Sequence, residues 1–242
     1  MASSNGEAPH RPLRDSDGLS GETSIANLIG RPDVGMDHVP VNHLVHLAAT
    51  LDSANYFSER MPQARLHDDK FQQLGDALRA RGRDGLIAEF GVFEGATINF
   101  IAGQTKEPVF GFDCFSGLPE DWRPGFPQGM FSACIPPVRP NVSLLVGLFE
   151  DTLPVFLEQN TEDLSLLHID CDLYSSTRTV LEMCSSRIQK GTVLVFDEYF
   201  NYPGWRSHEF KAFQEFIADT GRQYEYLSAV PSYQQVAVII TR

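Results

Sequence analysis

The sequence predicts a Rossmann-like α/β fold. It should have a doubly wound, mostly parallel sheet with an antiparallel C-terminal pair, helices on both faces and an N-terminal helical extension. From residue 85 onward, short apolar segments alternate with helical periods, the order that parallel pairing requires. The strand segments carry Val, Ile, Leu and Phe on both faces, as in a sheet covered from both sides. The last two β-rich segments, "RQYEYLSAV" and "QQVAVIIT", follow each other with no helix between them. They therefore read as an antiparallel pair joined near Pro231.

The 242 residues, 42% of them hydrophobic, fit one α/β domain or one domain with an arm. Residues 1–24 are polar and rich in Gly, Ser and Pro, read as a flexible arm without the hydrophobic segment of a secretion signal. Residues 25–84 are read as a helical extension, a lid or a dimer contact. In "VNHLVHLAATLDSANYF" (41–57), Val41, Leu44, Val45, Ala48 and Leu51 follow a helical period. A second helix is expected over 67–81, with Phe71, Leu74 and Leu78 on its inner face and Gly82 and Gly85 ending it.

Residues 85–242 are expected to form the α/β domain. Strands are expected at 85–92, 108–113, 142–147, 164–170 and 191–197, and helices at 94–105, 151–159, 175–188 and 207–221. Residues 114–140, "CFSGLPEDWRPGFPQGMFSACIPPVRP", are too long for an ordinary connection. Their aromatics, Phe115, Trp122, Phe126 and Phe131, favour an ordered lid over a linker.

A formal net charge of −13 argues against nucleic acid and anionic membrane surfaces as partners, since phosphate binding needs clustered Lys and Arg. No apolar stretch reaches the length of a membrane span. Cys114, Cys134, Cys171 and Cys184 are widely spaced, with no C-x-x-C pair, which suggests reduced thiols in a cytoplasmic protein.

The acids collect at strand ends. Glu89 ends the first strand, Asp113 the second, Asp170 the fourth, and Asp197 with Glu198 the fifth. In a doubly wound sheet, ligands bind at the carboxyl ends of the strands, near the switch point. In "EFGVFEGAT" (89–97), Gly91 and Gly95 let the backbone pass close to a ligand, but the stretch is not G-x-G-x-x-G, so the dinucleotide fingerprint fails. Asp113 is placed to accept from ribose hydroxyls, which fits either NAD or S-adenosylmethionine. Asp170, Asp197 and Glu198 form an all-oxygen set suited to a hard cation, Mg²⁺ before Ca²⁺. Asp172 is expected to cap the helix that opens at Ser175 and Ser176. His168 reads as a satisfied core histidine. His208 reads as a solvated helix-start residue, with general base as its alternative role.

In order along the chain, "EFGVFEGAT", "FDCFSGLPED", "GLFEDTLP", "HIDCDLYSST" and "VFDEYF" resemble the macrocin O-methyltransferase family. The resemblance covers roughly residues 56 to 216 and is specific mainly through "DCDLYSST" followed by "DEY". It implies a methyltransferase using S-adenosylmethionine, often with Mg²⁺, acting on a hydroxyl of a small molecule such as a sugar or natural-product intermediate. By position, Glu89, Gly91, Val92, Phe93 and Gly95 would line the methionine portion. Asp113, Phe115 and Ser116 would hold the ribose side, and Gly147 and Phe149 would border the adenine. Met61 would reach the cofactor from the N-terminal side. Asp170, Asp197 and Glu198 would hold the metal, with Asp170, or His208 in reserve, taking the proton. A homodimer is expected from the family alone.

Glu198 stands where the family often has a second aspartate, and the N-terminal arm and the 114–140 loop match the family poorly, so the acceptor does not transfer. The alternatives are a metal-independent methyltransferase acting on nitrogen or a phenol, an NAD-linked oxidoreductase, and a non-catalytic binding module.

Overall fold

A computed structural model describes residues 40–242. The arm expected over residues 1–24, and the extension as far as residue 39, lie outside the described residues. In chain order the elements are α1 (Val41–Arg60), β1 (Arg65–Leu66), α2 (Lys70–Ala80), β2 (Leu86–Phe90), α3 (Ala96–Gln104), β3 (Val109–Asp113), β4 (Val142–Val146) and α4 (Phe149–Gln159). Then come β5 (Leu164–Ile169), α5 (Tyr174–Met183), β6 (Ile188–Phe196), α6 (Glu209–Thr220), β7 (Tyr224–Ala229) and β8 (Val236–Ile240), with 3₁₀ turns at Ser185–Arg187 and Trp205–Ser207.

One eight-stranded sheet runs in the order β1-β7-β8-β6-β5-β2-β3-β4. Strands β4, β3, β2, β5 and β6 pair in parallel. β8 is antiparallel to both β6 and β7, as the missing helix between the last two segments predicts. β1 adds a two-residue parallel edge to β7, inside the segment read as purely helical. From β2 the chain steps outward through β3 to β4. It then returns to β5 on the other side of β2, so the switch point lies between β2 and β5.

Both sheet faces are apolar because successive strand side chains point to opposite sides. Ala88, Phe90, Leu167, Ile169 and Phe196 share one core with Phe156, Leu181 and Phe213, from α4, α5 and α6. Ile87, Leu166, Val193 and Val195 face the other way and pack with Leu74, Leu78, Ile98 and Ile101 from α2 and α3. Each fully buried Leu, Ile or Phe contributes roughly 1.5–3 kcal/mol of transfer free energy. All six residues of β5 are buried, which places this strand at the centre of three layers.

The helix expected over 41–57 forms and runs on to Arg60, but it packs through a different face. Val45, Ala48 and Leu51 point outward, whereas Ala49 and Ser53 are buried. Ser53 Oγ donates to the Ala49 carbonyl and accepts from the Asn201 N–H. Tyr56 packs edge-on against Trp205 and Phe210, and its hydroxyl lies 2.6 Å from that of Tyr226. Small and aromatic residues set this contact, so counting aliphatic residues selects the wrong stripe. Helix α2 starts at Lys70 because Asp69 caps it, accepting from the Phe71 and Gln72 N–H groups at 2.9 and 3.0 Å.

Asp172 does not cap α5, contrary to expectation. Leu173 is the N-cap residue and makes no side-chain cap bond. Asp172 instead takes a left-handed backbone (φ 61°), which turns its carboxylate back toward the carboxyl ends of the strands.

Candidate functional site

The carboxyl ends of β2, β3, β5 and β6 open onto a cavity of about 640 Å³, within the range of small-molecule sites. Gly91, at the end of β2, takes φ +91°, and its N–H donates to the Phe112 carbonyl. An ideal Cβ there would overlap the Asp170 carbonyl oxygen, so the turn presses against β5 in a way only glycine allows. Asp113 holds the same turn from β3. Its Oδ2 accepts from the Val92 and Phe93 N–H groups, each at 2.8 Å, and its Oδ1 accepts from Phe115 at 2.7 Å. The chain thus positions a carboxylate at the cavity wall and uses it to fix the glycine turn.

The long loop forms another wall. Leu118 and Trp122 are buried, with Trp122 edge-on to Tyr202 at 5.8 Å. Gly117, Leu118, Pro119, Glu120 and Phe131 face the cavity. Phe131 meets Phe93 edge to face at 6.0 Å, and both residues adopt positive φ. These contacts give the loop an ordered surface anchored by its own aromatics.

At the β5–β6 end, Asp170, Asp172, Asp197 and Glu198 converge. Lys70 Nζ, from the first turn of α2, lies 3.3 and 3.5 Å from the two Asp197 oxygens and 4.0 Å from Asp170 Oδ2. Below them His168 is fully buried. Its Nδ1 lies 2.8 Å from Glu89 Oε2, and its Nε2 lies 3.7 Å from Asp197 Oδ1, an ion-pair distance too long for a hydrogen bond. Thr97 Oγ1 donates to the other Glu89 oxygen at 3.1 Å. Glu209 accepts from the Glu198 and Cys171 N–H groups, tying the two strand ends together.

This packing separates the charges. Burial opposes a charge on His168, but Asp197 and Glu89 raise its pKa to about 10. Burial also pushes Asp197 upward, and His168, Lys70 and Gln235 outweigh it, holding Asp197 at about 2. Asp170 moves the opposite way, well above the carboxylate range, first through burial and then through the neighbouring Asp197 charge. Burial and the charges of Asp197 and Asp170 likewise raise Glu198. One acid is firmly ionised beside another that holds its proton more tightly, an arrangement found at sites that move protons.

Of the residues singled out from sequence, Gly91, Phe93, Asp113, Gly147, Phe149, Asp170, Asp197 and Glu198 line the cavity. The others stand behind or beside the wall. Glu89 is buried under His168, and Met61 and Val92 belong to the cores. Gly95 is the N-cap of α3, with Pro136 over it, Phe115 is buried in the α2–α3 core, and Ser116 faces outward. His208 starts α6, with its ring stacked on Tyr202 and edge-on to Trp122 away from the cavity wall. That stacking removes the reserve base from the acids it neighbours in sequence. Three contributors escaped sequence reading: Lys70, Asp172 and Glu209. Lys70 lies 127 residues before Asp197 with no motif of its own, whereas Asp172 stood inside "HIDCDLYSST" and was assigned to a cap.

Asp170, Asp197 and Glu198 offer carboxylate oxygens that fit a hard cation, whereas His168, holding its proton between Glu89 and Asp197, has no lone pair to give. Ligand atoms of His168, Asp170 and Asp197 lie within 4.8 Å of one another. His168 Nε2 and Glu198 Oε2 are buried with no hydrogen-bond partner. Residues 138–222, which carry this cluster, match the macrocin-O-methyltransferase (TylF) family. The match to that family covers β4 through α6. The chain is also 29% identical over 157 residues to the 8-demethyl-8-(2,3-dimethoxy-alpha-L-rhamnosyl)-tetracenomycin-C 4'-O-methyltransferase of Streptomyces olivaceus, covering 54% of this chain. It spans 59% of that relative's length. Among solved structures, the calicheamicin methyltransferase CalS11 superposes with a TM-score of 0.58 at 22% identity, over 97% of this chain and 99% of the other. The O-methyltransferase NovP gives 0.57 at 20% identity, over 71% of this chain and 79% of the other. The fold is therefore the Rossmann-like fold that these structures share. No helix among the described residues is long and apolar enough to cross a membrane.

Proposed function

We propose that this protein is an S-adenosylmethionine-dependent O-methyltransferase that methylates a hydroxyl of a small molecule such as a sugar or a natural-product intermediate. One observation carries the reading: acids from three strand ends, Asp113, Asp170 and Asp197, face a single cavity beside the β2–β5 switch point. The family match over the acid cluster and the O-methyltransferase relatives support it.

S-adenosylmethionine, when bound, supplies an electrophilic methyl group on sulfur. The glycine turn at Gly91 brings backbone to the donor side, with Asp113 holding the turn in place. Gly147 and Phe149 border the adjoining wall, where an adenine would lie. Asp170, placed between donor side and acid cluster, would accept the acceptor's proton. Asp170, Asp197 and Glu198 would hold Mg²⁺, which lowers a bound hydroxyl's pKa and orients its oxygen. Positioning nucleophile and donor in line lowers the barrier by several kcal/mol or more. Phe93 and Phe131 offer an apolar surface for the remainder of the acceptor. We also propose a cytoplasmic homodimer, with the segment before β2 serving as lid or dimer contact.

Calorimetry with S-adenosylmethionine, paired with a screen of small sugars and glycosides as acceptors, tests the reading. Asp170→Asn should retain donor binding within a few-fold and lose transfer by at least a hundredfold. Full turnover in that variant, or a wild-type protein that does not bind the donor, would reject it.

A further inference from the structure

We propose that Lys70 is a built-in counter-ion of the acid cluster, which a divalent ion must displace, so that this residue sets the protein's metal affinity. The inference rests on the metal ligands named in the proposed function and concerns their unloaded state.

The placement of the amine carries the idea. Nζ contacts both Asp197 oxygens and approaches Asp170, two of the three carboxylates that would hold the metal. Lys70 is the one cation among the described residues lining the cavity. Its position is fixed locally, since Asp69 caps α2 and makes Lys70 the first helical residue. The neighbouring acids are otherwise committed to backbone or core. Glu209 is used by two backbone N–H groups, and Glu89 by His168 and Thr97. Lys70 thus offsets Asp197 and Asp170 from the cavity side, whereas His168 meets Asp197 from the buried side.

A divalent ion on those same oxygens would stand within a few ångströms of the ammonium. Like charges at such separations repel, and more strongly at a partly buried site than in water. The lysine stem is long and about a third of the side chain is exposed, so the amine has room to swing toward solvent. Occupancy by metal and contact by Lys70 are then mutually exclusive. The lysine keeps the carboxylates assembled without metal and weakens binding when metal is offered.

The test is a Mn²⁺ titration of metal-stripped protein, followed by calorimetry and by the loss of the free-ion electron paramagnetic resonance signal. Lys70→Met should bind Mn²⁺ at least tenfold more tightly than wild type, and Lys70→Arg should stay near wild type. In chelator the Met variant should melt at a lower temperature, with Mn²⁺ raising its Tm by more than it raises that of wild type. Lys70→Gln serves the same comparison should the Met variant not fold. Equal or weaker Mn²⁺ binding in the neutral variants, or no binding by any form, would overturn the proposal. A parallel wild-type titration with S-adenosylmethionine keeps the two readings apart, because its failure rejects the methyltransferase assignment and leaves the Mn²⁺ comparison standing.

Discussion

Gly91 and Asp170 touch backbone to backbone: a side chain on the first would occupy the carbonyl oxygen of the second. This contact joins the end of β2 to the end of β5 at the switch point and sets how closely the donor side approaches the acid cluster. Gly91→Ala would meet both that overlap and a φ of +91°. The expected loss is about 3 kcal/mol or more, with donor binding lost even in molecules that fold. Chemical denaturation and calorimetry measure both effects. A variant with wild-type midpoint and affinity would refute the close-contact account.

Asp113 should act through the turn it holds. Asp113→Asn cannot accept from all three backbone donors, so it should lose about 2 kcal/mol of stability. Donor affinity should fall in the same variant because the Gly91 turn loosens. Asp113→Glu, with the charge kept but displaced, should also lose affinity. Unchanged affinity in both variants would show that the carboxylate has no part in shaping the site.

The buried pair His168 and Glu89 predicts a non-additive pair of substitutions. His168→Leu leaves Glu89 and Asp197 without their buried partner and should cost about 3–5 kcal/mol. Glu89→Leu in the same background should recover part of that loss, since it removes one of the stranded carboxylates. A double-mutant cycle reads the coupling directly. Simple additivity would mean that the pair is not an energetic unit.

The four thiols should divide by burial. Cys134 is exposed and Cys114 half-buried, whereas Cys171 and Cys184 are buried. Burial pushes Cys184 up to about 12 and Cys171 well above its usual value. A thiol reagent at neutral pH should label Cys134 first, Cys114 next and the other two only on unfolding. Cys114 lines the cavity, so S-adenosylmethionine should slow its labelling and leave Cys134 unchanged. Labelling of Cys184 at the rate of Cys134 in folded protein would contradict the core described here.

Strand-and-helix alternation made the sheet legible because each buried strand is written as a short apolar run. The acids at strand ends were legible for the same reason: each interrupts such a run where the chain leaves the sheet. Pairing across distance was not. Nothing local marks Lys70 as the partner of Asp197, or Glu209 as the group that ties β5 to β6. Asp172 was misread because its role depends on a single left-handed residue, which composition does not reveal. The outer stripe of α1 misled in the opposite direction, since Tyr56 and Ser53 make contacts that an aliphatic count ignores.

The position of β8 bears on how the polypeptide is made. This strand lies between β6 and β7, although it follows both in the chain. On the ribosome, β6 therefore emerges with one edge unpaired and stays so until residues 236–240 follow. Strand β7 can join the sheet only through that later arrival. Until then the nascent chain offers "VLVF" as an open apolar edge, the kind of surface that recruits chaperones or other copies of itself.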